Sequence, residues 1–313
     1  MRPLAGLLLL ALAGAPLAAG PVPLELNLRR LDDAGYRHRT PGVVNDAAVA
    51  EISGLAASRR VDERLWALND SDNGNLLHLL STDGRRIGTW PVDGARNYDW
   101  EDLSSFVRDG EVWLLIADTG DNGGLRESIE VIAVREPDPT AAPAPVPVAW
   151  RLEVRWPDGP RDCEAIAVDV AAGEILLVAK KRVPTQVFRV PLPRAGAPAS
   201  AVVAEPIASI AGIPQPTDDD LRRAPPGARY MSQVTSADLS PDGLRLVLLT
   251  YREAYLMSRT AGEPWLEALR RAPQRLRMPP LVQAEAIAFD RDGERIWIGT
   301  EKLPAPLVRF DPR

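Results

Sequence analysis

From residue 51 onward the apolar positions fall into short runs bounded by Gly, Pro and Asp, and one run recurs five times. The copies are Ser53-Gly54-Leu55-Ala56, Glu101-Asp102-Leu103-Ser104, Glu164-Ala165-Ile166-Ala167, Ala237-Asp238-Leu239-Ser240 and Glu285-Ala286-Ile287-Ala288. Leu or Ile holds the third place and Ala or Ser the fourth. Four copies lead into a turn signal, Asp109-Gly110, Ala172-Gly173, Asp242-Gly243 or Asp292-Gly293, where Gly supplies the positive φ of a tight hairpin. A mostly apolar run follows each copy: Leu65 to Leu68, Val112 to Ala117, Ile175 to Ala179, Leu246 to Thr250 and Ile296 to Gly299. Runs of this length without polar alternation read as strands buried on both faces. Third strands are legible at Leu76 to Leu80, Ile129 to Val134 and Val187 to Val190. The repeat is an antiparallel meander, which predicts an all-β chain folded as a single β-propeller.

Five blades are expected, with a sixth of degraded motif as the alternative. The last copy leaves chain for three strands only, so an N-terminal strand, read at Val22 to Leu28, is expected to close the ring and cover its open edge. Pro137 to Val148 and Gly212 to Arg229 read as inserted loops.

Composition narrows this further. Arg2, the apolar run Leu4 to Leu12 and the small residues up to Gly20 have the layout of a signal peptide, giving residues 1–20 as leader and 21–313 as one propeller domain. That predicts a periplasmic or secreted protein. No later stretch approaches the roughly 20 apolar residues of a membrane span. Cys163 is the sole cysteine, so burial rather than disulfides must supply stability. The net charge of −6 comes without a basic stripe, which argues against nucleic acid. A monomer acting on a small molecule or phosphoester, or binding a protein, is the expectation.

In a propeller the start of each first strand and the end of each second strand meet at one mouth. The first window holds Glu51 and Ser53, Asp99 and Glu101, Asp162 and Glu164, Thr235 and Ala237, and Gln283 and Glu285. The second holds Asn69 and Asp70, Asp118, Lys180 and Lys181, Glu301 and Lys302, with Tyr251, Arg252 and Glu253 near the same place. Lys and Arg together number 37, yet Lys occurs only at 180, 181 and 302, all in the second window. The loops Asn69-Asp70-Ser71-Asp72-Asn73-Gly74 and Asp118-Thr119-Gly120-Asp121-Asn122-Gly123 carry the short oxygen side chains that hard cations such as Ca²⁺ prefer. Asx-rich turns would use the same residues. His38 and His78, the only histidines, stand away from the mouth, which argues against a serine triad or a histidine zinc site. Trp100, beside Glu101, is a candidate ligand platform.

Glu51-Ile52-Ser53-Gly54-Leu55, Leu65-Trp66-Ala67-Leu68-Asn69-Asp70-Ser71, Trp100-Glu101-Asp102-Leu103, Ile116-Ala117-Asp118-Thr119-Gly120-Asp121-Asn122 and Asp162-Cys163-Glu164-Ala165-Ile166-Ala167 together resemble the secreted propellers grouped as SdiA-regulated and phytase-like (esterase-like) proteins. Similarity to calcium-dependent propeller phytases implies a metal-lined acidic mouth and phosphoester hydrolysis. Two functions follow. In a metal-dependent ester hydrolase, Glu101, Asp118, Asp121 and Asp70 would hold Ca²⁺, Glu164 or Glu285 would act as general base, and Lys180 or Lys302 would meet developing negative charge. In a non-catalytic propeller the mouth would display a binding surface. Glu51, Asp99, Trp100, Asp162, Tyr251, Arg252 and Glu301 would contact ligand in either case.

Overall fold

A computed structural model describes residues 31–194, 196–210, 212–224 and 227–313. The expected leader and the strand read at Val22 to Leu28 lie outside the described residues. The chain is all-β, with several mainly antiparallel sheets consistent with a β-propeller. Strand β1, Tyr36–Val44, comes first. Four-stranded antiparallel runs follow it. The first contains β2 (Ile52–Ala57), β3 (Arg64–Asn69), β4 (Leu76–Ser81) and β5 (Arg86–Asp93). The second contains β6 (Trp100–Arg108), β7 (Glu111–Asp118), β8 (Ile129–Arg135) and β9 (Val146–Arg155). The third contains β10 (Cys163–Asp169), β11 (Glu174–Ala179) and β12 (Thr185–Pro191); β13 (Ser200–Val203) crosses back to pair with β9, and β14 (Glu205–Ile210) completes the run. The fourth contains β15 (Val234–Leu239), β16 (Arg245–Thr250), β17 (Ala254–Ser258) and β18 (Gln274–Leu276). The last contains β19 (Ala284–Phe289), β20 (Ile296–Thr300) and β21 (Ala305–Pro312), with β1 as its outer strand. First strands pack on one another in sequence, β2 on β6, β6 on β10, β10 on β15, β15 on β19, and β19 back on β2. Flanked on both sides, β2, β10, β15 and β19 are buried at every residue, which is why they show no polar alternation.

Closure comes from the N-terminal side. β1 pairs with β21 from Tyr36 opposite Pro312 to Val44 opposite Ala305. Just before it, Asp33 bridges Arg275 of β18, so one segment ties the fourth run to the fifth. The closing strand is thus Tyr36–Val44 and its sequence is polar. As an outermost strand it is exposed over most of its length, so hydrophobic patterning does not mark it.

Pairing also corrects the register of the fourth copy. Thr235, not Ala237, occupies the place of Ser53, Glu101, Glu164 and Glu285, because the same one-residue slip in pairing precedes Gly54, Asp102, Ala165, Ser236 and Ala286. In this register the axis is filled by two layers. One contains Gly54, Asp102, Ala165, Ser236 and Ala286; the next contains Ala56, Ser104, Ala167, Asp238 and Ala288. Each layer has one Asp facing one Ser across the axis: Ser236 Oγ donates to Asp102 (2.8 Å) and Ser104 Oγ donates to Asp238 (3.1 Å). The other members are small because backbones crowd there. A Cβ on Gly54 would lie 2.7 Å from the Leu103 nitrogen. Between the runs, buried Trp66, Trp297, Phe188 and Phe289 fill the core, each worth about 1.5–3 kcal/mol of burial or more. Among the described residues no helix is long and apolar enough to cross a membrane.

Candidate metal centre

A β-bulge places one extra residue at the mouth end of every first strand. The bulged residues are Ser53, Glu101, Glu164, Thr235 and Glu285. Bulges bend a strand and re-aim a side chain. Here they turn three glutamates toward the axis above the two small layers. Two residues earlier stand Glu51, Asp99 and Asp162, so the acidic side of the mouth belongs to the first three runs.

Two groups of carboxylates result, Asp70, Asp99 and Glu101, and Glu101, Asp162 and Glu164, each offering oxygens that lie within 4.8 Å of one another. Glu101 belongs to both. It is 3 % exposed and accepts no hydrogen bond from any described residue. Burial, followed by the charges of Glu164, Asp70 and Asp99, pushes its pKa well above the usual range. Glu164 is 1 % exposed; one oxygen meets Lys180 Nζ in a short ion pair, and Oε2 is buried with no donor among the described residues. Burial raises its pKa strongly, against the lowering by Lys180. Asp162 accepts the Asp121 amide (2.8 Å) and pairs with Lys181 (2.7 Å). Burial and then the Asp70 charge push Asp99 up to about 6. Gly120 covers Asp99 and Glu101 so closely that any Cβ there would overlap Glu101 Oε1 and the Asp99 carboxylate.

Buried like charges without donors are costly, and a cation relieves that cost. The donor set is all carboxylate oxygen, and separations up to 4.8 Å match oxygens on opposite sides of an ion bound at roughly 2.3–2.6 Å. The residues present therefore fit a hard divalent cation.

A second sector adjoins this cluster. Glu285 accepts Tyr251 Oη (2.9 Å), and its pKa is raised by burial against the pull of Lys180. Lys180 Nζ lies 5.4 Å from the Tyr251 ring centroid. Burial works against the ammonium, but the carboxylates, Glu164 first among them, outweigh it and raise its pKa. Glu301 accepts Gln283 (2.6 Å), and burial followed by the Glu285 charge pushes it up to about 8. Glu51 accepts Asn73 (2.7 Å) and forms a backbone bridge with Glu301.

Other expected site residues stand differently. Asp118 is at the mouth but is held by Arg126 (2.9 Å) and faces the amides of Tyr98 and Asp99. Asp121 accepts the amides of Leu125 (2.8 Å) and Arg126 (3.0 Å). Neither joins a carboxylate group among the described residues. Trp100 is fully buried and its indole donates to the Arg96 carbonyl, so it offers no platform; its neighbour Tyr98 is exposed. Lys302 is exposed at positive φ beside Glu301, and Arg252 reaches outward to Asp220 (3.3 Å). Asp102, Asp238 and Gly120 were not singled out by sequence. Asp102 is fully buried and accepts the amides of Leu103 (2.9 Å), Ile166 (2.8 Å) and Ala237 (3.2 Å) besides Ser236 Oγ, so burial raises its pKa while four donors oppose that.

No family model matches the chain, and no curated protein matches it. Among solved structures it is similar to one described as the structure of U3-55K, at 14 % identity and a TM-score of 0.37, covering 84 % of this chain and 68 % of that one.

Proposed function

We propose that this chain is an exported five-bladed propeller of the SdiA-regulated, phytase-like kind, whose mouth holds a hard divalent cation, Ca²⁺ by its donor set, and hydrolyses phosphoesters. One observation carries the reading: among the described residues Glu101 accepts no hydrogen bond, and it is buried beside Glu164, whose Oε2 has no donor either. Asp70, Asp99, Glu101, Asp162 and Glu164 are the ligands in this reading. A bound cation would polarise a phosphoryl oxygen and orient water. Glu285 stands outside both carboxylate groups, and burial raises its pKa above the ordinary glutamate range, which strengthens it as a base. It takes the proton as water oxygen bonds to phosphorus. The ester P–O bond breaks, and the leaving oxygen keeps the electron pair and is protonated by solvent. Lys180, held against Glu164 and Tyr251, faces the charge that develops on the phosphoryl oxygens.

Calcium titration followed by terbium luminescence tests the site, and turnover of p-nitrophenyl phosphate and phytate with Ca²⁺ or chelator tests the reaction. Saturable binding, chelator-sensitive turnover and loss of turnover in Glu285→Gln are expected. Binding without turnover on any ester would leave a non-catalytic, cation-holding propeller; absence of binding would end the proposal.

A further inference from the structure

Beside the carboxylates, an open cleft of about 640 Å³ is lined by Tyr98, Asp99, Gly120, Gly123, Leu125 and Arg126, among others. Two walls are conspicuously apolar and bare. Tyr98 is 59 % exposed and Leu125 82 %, the latter the most exposed large apolar side chain among the described residues. The Tyr98 ring is braced, since the Arg96 guanidinium lies 4.4 Å from its centroid. Arg126 is fixed by Gly120 O (2.8 Å) and Asp118 (2.9 Å), which anchors the floor. The cleft adjoins the carboxylate cluster, because Asp99 belongs to both and Gly120, which also lines the cleft, packs against the Asp99 and Glu101 carboxylates.

We infer that this cleft is the subsite for the leaving group and that it selects an aromatic one: an aryl phosphoester seats its phosphoryl group at the cation and its ring between Tyr98 and Leu125. The inference rests on the cation-bearing mouth proposed above. Aromatic rings stack offset or edge-on at about 4.5–7 Å between centroids, and a ring held by a cation on one face can offer the other. The exposed Leu125 side chain and the Tyr98 ring, 59 % exposed although Arg96 lies against it, are what such a group would cover. A short alkyl leaving group would leave both walls in water and gain nothing from them.

The experiment compares phenylphosphonate with methylphosphonate by calorimetry in the presence of Ca²⁺, which separates recognition of the group from the chemistry of its departure. Wild-type protein should bind phenylphosphonate about tenfold tighter or more. Tyr98→Ala should reduce that preference to near parity, Tyr98→Phe should keep it, and Leu125→Ala should lower it by a smaller factor. The calcium titration midpoint should be the same in all three variants. Equal affinity for the two phosphonates in the wild type, or an intact preference in Tyr98→Ala, overturns the aryl subsite while the cation-bearing mouth stands. Calcium binding with neither phosphonate bound overturns the subsite as well. Failure to bind either phosphonate together with failure to bind calcium overturns both.

Discussion

Glu101 and Asp102 are consecutive, acidic and buried, yet they live in opposite circumstances. Asp102 points into the axial layer, where three amides and a hydroxyl from three different runs all donate to it. Glu101 points into the mouth, where no described residue donates to it and three carboxylates face it. A buried charge whose surroundings all donate is part of the frame; a buried charge left bare invites something that is not in the chain. The bulge creates the difference by turning one residue out of the ladder and leaving the next within it. The same division separates Asp238, which accepts from Ser104 and the Phe289 amide, from Glu164 with its bare Oε2.

The largest expected effect is on the framing side. Asp102→Ala would strand the amides of Ile166 and Ala237 and the Ser236 hydroxyl in a dry axis. A loss of about 3 kcal/mol or more is expected, read as a melting-point drop of roughly 5–10 °C. Glu101→Gln should do the reverse in chelator, holding or raising the melting point, because it removes an acid whose ionisation is opposed by burial and by the charges of Glu164, Asp70 and Asp99. It should also abolish the calcium response, which for a site binding at about 10⁻⁴–10⁻³ M is roughly 1.4–2.7 kcal/mol at about 10 mM Ca²⁺. Equal destabilisation by both substitutions would erase the distinction drawn between them.

Gly120→Ala breaks the mouth without touching a charge. The new methyl overlaps Glu101 Oε1 and Asp99, so the carboxylates must move apart. A cost of about 1–3 kcal/mol is expected from overpacking. Calcium affinity should fall with it, and an undiminished titration would show that the carboxylate spacing is not what holds the ion.

Acidity offers a way to sharpen the comparison without mutation. Glu301, raised to about 8, and Glu101 and Glu164, raised by burial, bind protons in the folded protein at pH values where the unfolded chain has released them. Stability from these groups is therefore complete below the unfolded carboxylate range, about pH 4, and is lost as pH rises through their folded pKa values. His78, depressed to about 4 by burial, acts oppositely between pH 4 and its unfolded value near 6.5, so the clean window is above pH 6.5. From pH 6.5 to 8.5 in chelator the melting point should fall by a few degrees, and Ca²⁺ should flatten the decline. A flat profile in chelator would mean that burial and the neighbouring charges do not raise the mouth carboxylates.

Much of this arrangement is legible in sequence, for reasons that also explain what is not. Recurring short apolar runs bounded by turn glycines reveal the repeat, and the antiparallel pairing of first and second strands sends Asp70, Asp99, Glu101, Asp162 and Glu164 to one end. The fourth copy is misaligned by two residues because a shift of two keeps every side chain on its face, and Ala237-Asp238-Leu239-Ser240 fits the motif as well as the true register does. The axial pairs join residues 134 apart, beyond any local signal. The burial of Trp100 follows from packing between neighbouring runs, which its position beside Glu101 does not announce.

The smallest expected effect belongs to Asp118, and it decides between loop and mouth as the cation site. By composition, Asp118 and Asp121 look like ligands in an oxygen-rich loop. In the fold their oxygens are already spoken for, Asp118 by Arg126 and the amides of Tyr98 and Asp99, Asp121 by the amides of Leu125 and Arg126. A carboxylate engaged in this way gains little from an ion and would have to give up its donors to take one. Asp118→Asn retains the acceptor oxygen and the shape, so the loop should loosen by no more than about 1–2 kcal/mol and the calcium-induced rise in melting point should persist nearly whole. NaCl at matched ionic strength serves as the control, because general screening would relieve an acidic mouth without any specific site. A calcium effect that vanishes in Asp118→Asn, or one that NaCl reproduces, would return the ion to the loop or remove it, and the bare oxygens of Glu101 and Glu164 would need another occupant.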